Sequence, residues 1–190
     1  DGQVDGLDKT TIGYGYPKFT AGWTNLVTYN NFELSFLITA SYGNELFNTI
    51  RIRRESTWEG NDPILWDYWT PENEDTEVPA LYDGRYVEDQ HLVNKYFLGN
   101  SSGATSRWVE DASFVRLKTI TLSYNFEQNL LKKIGFAKAR LYFTGTNLVT
   151  LTKYTGYDPE IAQYPGNDAT IGIDQSVYPT ARMYTFGADF

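Results

Sequence analysis

Phe32-Glu33-Leu34-Ser35-Phe36-Leu37-Ile38-Thr39-Ala40-Ser41-Tyr42 is the stretch on which the fold turns. Phe32, Leu34, Phe36, Ile38, Ala40 and Tyr42 line one side, and Glu33, Ser35, Leu37, Thr39 and Ser41 line the other. A period of two is the mark of a β-strand, because successive side chains leave a sheet on opposite faces. The segment before it, 17–30, repeats the pattern, with Phe19, Ala21, Trp23, Asn25, Val27 and Tyr29 opposite Thr20, Gly22, Thr24, Leu26 and Thr28. Asn30-Asn31 separates the two, a pair that tolerates positive φ and joins antiparallel neighbours. Three further segments alternate: 113–126, 137–149 and 181–190, with Ile120, Leu122, Tyr124 and Phe126, then Ala139, Leu141, Phe143 and Gly145, then Tyr184, Phe186, Ala188 and Phe190 in phase.

These segments run to roughly 10–13 residues, whereas strands of soluble proteins cluster near 5–6 and a tilted strand crossing a bilayer needs about 9–11. Their polar faces carry mostly small hydroxyls, which suits a wet lumen. A soluble β-sandwich, with one face buried and one in water, gives the same alternation. Connection lengths separate the two. A two-residue turn and a short connection at about 127–136 alternate with long loops at 43–112 and 150–180. Short turns at one end and long loops at the other are the pattern of an outer-membrane barrel, whose long loops are extracellular. Loops of this length are uncommon in a compact soluble domain. Tyr29, Phe32, Tyr124, Phe126, Phe136 and Phe190 gather at the short-turn end, as an interfacial girdle does. An open five-stranded sheet would leave unpaired edges in lipid, so the reading requires further strands before residue 1.

Composition agrees with this and removes other classes. The chain has 190 residues, 24 acidic and 16 basic, for a net charge of −8, with 5 Trp, 15 Tyr and 11 Phe. Such a charge opposes nucleic-acid binding, which needs a positive field, and the aromatic content opposes disorder. With no Cys and one His, disulfides, thiolate catalysis and histidine triads or metal clusters drop out. Mean hydropathy is −0.45, and no run approaches the ~18 apolar residues of a membrane helix; alternating barrel strands escape such a scan. Residues 1–8 are acidic and polar, read as mature sequence or a fragment rather than a signal peptide. The imbalance is local: residues 44–111 hold 14 acids and 6 bases, and the remainder holds 10 of each.

Several motifs, in order along nearly the whole chain, carry a family resemblance. They are Pro17-Lys18-Phe19; Trp69-Thr70-Pro71-Glu72-Asn73; Ser113-Phe114-Val115-Arg116-Leu117-Lys118-Thr119-Ile120-Thr121-Leu122-Ser123-Tyr124; Tyr142-Phe143-Thr144-Gly145-Thr146-Asn147-Leu148; Lys153-Tyr154-Thr155-Gly156-Tyr157-Asp158-Pro159-Glu160; Tyr178-Pro179; and the terminal Phe190. In these the chain resembles the C-terminal part of the SusC/RagA family, the TonB-linked outer-membrane transporters of Bacteroidetes. The resemblance implies an all-β fold in which 17–190 supplies the last five antiparallel strands of a 22-stranded transmembrane barrel. It also implies a missing N-terminal barrel and plug, coupling to TonB through that part, contact with outer-membrane lipid, and a SusD-like surface lipoprotein as lid. The expected activity is import of glycans or peptides. Tyr184, Phe186 and Phe190 look like the C-terminal signal by which such barrels are recognised for assembly.

Residues 1–16 form an acidic loop in which Asp1, Gln3, Asp5 and Asp8, with Gly2 at the sharp turn, match the second half of a calcium loop; an acidic turn before a strand is the plainer account. The long loop holds Trp58, Trp66, Trp69 and Trp108, with Tyr82 and Tyr86. Flat aromatic faces suit a sugar or peptide, and Trp58, Trp66, Trp69, Tyr82 and Tyr86 are the candidates for contacting substrate or lid, although the same rings would also pack the loop on itself. Arg51, Arg53 and Arg54 read as rim charges. Glu72, Glu74, Asp75 and Glu77 read as a solvated acidic rim rather than a glycosidase pair. Two function classes stand: a segment of a TonB-dependent transporter, and a soluble aromatic-rich carbohydrate-binding β-module. Detergent dependence separates them.

Overall fold

The computed structural model describes residues 9–55, 67–68, 70–76, 78, 105–160 and 171–190. The chain divides into two compact units, one comprising Pro17–Asn44, Ala112–Lys153 and Tyr178–Phe190, the other Asp1–Tyr16, Glu45–Asp111 and Tyr154–Val177.

The first unit is one antiparallel sheet of five strands: β1 (Phe19–Tyr29), β2 (Phe32–Tyr42), β5 (Phe114–Asn125), β6 (Arg140–Thr152) and β8 (Met183–Asp189). They stand side by side in the order β1-β2-β5-β6-β8. The register places like faces together. Phe36 lies opposite Asn25 on one side and Ile120 on the other, and Ile120 in turn lies opposite Gly145. Leu34, Leu122, Phe143 and Phe186 form a second continuous apolar row, and Ser35, Thr121, Thr144 and Thr185 a polar one on the reverse face. Asn30 takes φ 51 in the first hairpin, a conformation that asparagine tolerates better than other side chains. The register shifts between Leu117 and Thr119, where Asn147 adopts φ 55; this is the bulge that lets long strands twist.

The second hairpin turns through a helical segment, α2 (Gln128–Leu131), a 3₁₀ turn over Lys132–Ile134, and Gly135 at φ 82. Strand β6 starts at Arg140 rather than 137 and continues to Thr152 rather than 149. Beyond Asn125 the neighbouring strand has turned away, leaving the single bond from the Phe126 amide to the Ala139 carbonyl. Strands β5 and β8 are likewise one or two residues shorter at each end than the alternation suggests.

The described part of the second unit is irregular. β3 (Glu45–Asn48) pairs antiparallel with β4 (Val109–Asp111) and parallel with β7 (Ile173–Asp174), and α1 (Thr49–Arg54) follows β3 directly. Asn48 caps that helix, accepting from the Arg51 amide, which satisfies one of the orphan donors of a helix start. The spans 43–112 and 150–180, expected as loops without strands, therefore contain these three short pieces. Leu46, Ile50, Ile52 and Trp108 are buried here.

Candidate functional site

The sheet leaves large apolar side chains open. On the apolar face Trp23 is 57% exposed and Phe186 79% exposed, with Leu122, Leu141 and Val149 also open. On the hydroxyl face Ser123 and Arg116 are each 2% exposed. Contiguous exposed apolar surface of this extent marks a membrane or protein contact. A sandwich would bury such a face in its interior.

The inward face offers hydrogen-bonding groups in rows. The Thr121 and Thr144 hydroxyls lie 2.9 Å apart, and the Arg140 guanidinium reaches Glu33 at 3.5 Å. Arg116 donates to Thr180 Oγ1 at 2.9 Å and sits 5.3 Å from the Phe114 ring centroid. A Cβ on Gly187 would meet the Tyr142 ring at 2.2 Å, so glycine leaves room for that aromatic to lie across the neighbouring strand. Aromatics close the short-turn end: Phe32 and Tyr124 have centroids 4.9 Å apart, Tyr124 and Phe126 5.1 Å, Phe136 and Phe190 5.3 Å. Of the residues assigned to the assembly signal, Tyr184 stacks on Phe143 at 6.2 Å and Phe186 packs against it at 4.8 Å.

The loop unit is held by charge. Glu55 pairs with Arg51 on its own helix and with Arg107 at 2.7 Å. Both guanidiniums stand over the buried Trp108, at 5.7 and 5.2 Å from its ring. Burial alone would lower the Arg51 pKa; the bond to Glu55 and the charges of Glu55 and Glu110 outweigh it and raise it. Glu110 accepts from Asn48, from the Thr155 amide and from the Thr155 hydroxyl, at 3.2, 2.9 and 2.9 Å. Tyr154 donates to Asp174 at 2.6 Å, while Asp174 accepts from the Ser176 amide. Burial, then the bond to Asp174, pushes the Tyr154 phenol well above its usual range. A Cβ on Gly156 would lie 2.4 Å from that ring, which accounts for glycine in the Lys153–Glu160 motif.

Trp58, Trp66, Trp69, Tyr82 and Tyr86, and the calcium-loop residues Asp1, Gln3, Asp5 and Asp8, lie outside the described residues, as does His91. Trp108 is packed rather than presented, and Arg51 is an internal tie as much as a rim charge. Glu72, Glu74 and Asp75 are exposed on a tight turn that Asn73 braces through Asp67 and the Tyr68 carbonyl. Among the described residues no three His, Cys, Asp or Glu side chains are placed to hold a metal. The Asn48–Glu110–Thr155 and Tyr154–Asp174 ties carry no sequence signal beyond the motif around Tyr154, because their members are far apart in the chain.

No family model matches the chain. It is similar to TonB-dependent receptor P3 of Formosa agariphila, with 32% identity over 98% of this chain and 18% of the relative. It is also similar to TonB-dependent receptor SusC of Bacteroides thetaiotaomicron, with 29% identity over 98% of this chain and 16% of the relative. Among solved structures it matches the RagAB peptide importer in its open-open state, at 27% identity and a TM-score of 0.69, over 90% of this chain and 17% of that one. It matches the closed-closed state at 25% identity and a TM-score of 0.70, over 98% and 20%. The chain thus spans under a fifth of the length of these curated relatives.

Proposed function

This chain belongs to the TonB-dependent receptors of the SusC/RagA kind, and from that premise we propose that the full receptor is an outer-membrane barrel importing glycans or peptides. The five strands β1, β2, β5, β6 and β8 supply part of its wall, with the row containing Phe36 and Ile120 toward lipid and the row containing Ser35 and Thr121 toward the lumen. The observation that carries this reading is the open apolar face of the sheet: Trp23, Leu122, Leu141, Val149 and Phe186 stay exposed, the arrangement a bilayer rewards and water penalises. The relatives are named as receptors and importers rather than enzymes.

The partner is a SusD-like surface lipoprotein, and energy comes through TonB by way of a plug outside this chain. The importer named for RagAB carries peptides, which supports a peptide as readily as a glycan. Trp58, Trp66, Trp69, Tyr82 and Tyr86 are the residues assigned to lid or substrate contact, Asp1, Gln3, Asp5 and Asp8 to calcium, and Tyr184, Phe186 and Phe190 to assembly.

Fractionation and affinity purification of the tagged full receptor test the reading together. The expected result is recovery from the outer-membrane fraction only with detergent, together with a surface lipoprotein. A receptor that is folded, monodisperse and active in sugar binding without detergent would establish the soluble module instead.

A further inference from the structure

The β5–β6 turn combines a cluster of cationic side chains with exposed apolar ones. In a chain of net charge −8, the turn between Asn125 and Arg140 carries Lys132, Lys133 and Lys138 against the single acid Glu127. All three lysines are exposed, and no side-chain hydrogen bond or ion pair holds their ammonium groups among the described residues, whereas Arg140 is held by Glu33, and Arg51 and Arg107 by Glu55. The same turn also exposes apolar side chains, Leu130 and Phe136. Phe136 packs at 5.3 Å on Phe190, which continues the outward phase of β8. The turn is a fixed object: the Phe136 amide bonds to the Leu131 carbonyl, Gly135 takes φ 82, and Leu131 is buried beneath.

We propose that this turn is a docking surface for an anionic phospholipid in the leaflet facing the short turns. The inference rests on the barrel reading above. Given that reading, the Phe136–Phe190 pair sits at the level where aromatics anchor to the interface, and the lysines lie on the same turn, where headgroup phosphates are found. Flexible ammonium groups act on phosphate as point charges and attract anionic lipid. Charge complementarity selects the occupant: three lysines against the single acid Glu127 give this turn a net positive charge, which an anionic headgroup matches and a zwitterionic one does not. The open groove beside the turn is lined by Lys138 and Phe190 of this surface together with Asn125, Arg140 and Asp189 of the inward phase, so the surface continues into that groove.

The test uses the full receptor in a neutral detergent, titrated with phosphatidylglycerol or phosphatidylcholine and followed by native mass spectrometry. Phosphatidylglycerol should bind and phosphatidylcholine should not. Each lysine is expected to contribute roughly fivefold, so a combined Lys132→Gln, Lys133→Gln and Lys138→Gln variant should bind on the order of 100-fold more weakly. Lys153→Gln, at the other end of β6, should leave the affinity unchanged. Heat-modifiable gel migration reports folding separately and should be the same for all variants. Equal affinity in the triple variant and wild type, an equal loss in Lys153→Gln, or full displacement of the lipid by inorganic phosphate would overturn the site. A receptor that is folded without detergent would instead overturn the barrel reading on which it rests.

Discussion

The two units solve the same problem with opposite chemistry. In the loop unit, Trp108 and Leu46 are buried, and the buried carboxylates Glu55 and Asp174 are each given donors, as in any water-soluble domain. In the sheet unit the large apolar side chains remain outside, and the ladder satisfies the backbone from strand to strand. The contrast shows that the solvent of each region can be read from where its large apolar side chains lie. The loop unit is built for water and the sheet for hydrocarbon on one side only.

The largest expected effect comes from charging the outward face. Phe36 and Ser35 are adjacent and lie on opposite faces near the middle of β2. Phe36→Arg should cost about 2–4 kcal/mol of folding free energy in the bilayer, and Ser35→Arg less than about 1 kcal/mol, measured by urea unfolding in liposomes. Equal costs would erase the distinction between faces.

In the loop unit, Glu55→Gln removes the carboxylate shared by Arg51 and Arg107. Charge-assisted bonds contribute about 1.5–3 kcal/mol; because the two arginines are 27% and 21% exposed, solvent screening reduces the expected loss to about 1–2 kcal/mol. Amide exchange over Thr49–Arg54 should accelerate while β2 and β5 are unaffected.

Tyr154→Phe should cost about 1 kcal/mol in the same unit and change its pH response. The phenol is held above its unfolded value of about 10, so its contribution is complete below that pH and declines as pH rises through the folded value. Exchange in the wild-type loop unit should therefore speed up in alkali through this group, and the Phe variant should lack that component. The smallest effect is at the first hairpin: Asn30→Gly relieves φ 51 and should shift stability by no more than about 0.5 kcal/mol.

How much was legible in the sequence follows the same division. The wall was visible because alternation over long strands is a signal that neighbouring residues repeat, as from Phe32 to Tyr42. Where the ladder stops is decided by the partner strand, so the start of β6 was misplaced even though Ala137 and Ala139 keep the phase. β3, β4 and β7 span four, three and two residues, too few for any period. The loop ties join residues such as Asn48 and Thr155, 107 positions apart, and their polar side chains look the same in sequence as solvated ones. Of the candidate site, only the aromatic end formed by Phe32, Tyr124, Phe136 and Phe190 could be placed beforehand, because all its members sit at strand ends.

The central claim is the direction in which the sheet faces. Nitroxide labels placed singly at Ser35, Phe36, Ile120, Thr121, Phe143 and Thr144, in a cysteine-free full receptor reconstituted in bilayers, measure it through collision with oxygen. The account predicts high oxygen accessibility at Phe36, Ile120 and Phe143 and low accessibility at Ser35, Thr121 and Thr144. The reverse pattern, or no alternation between neighbours, would contradict it.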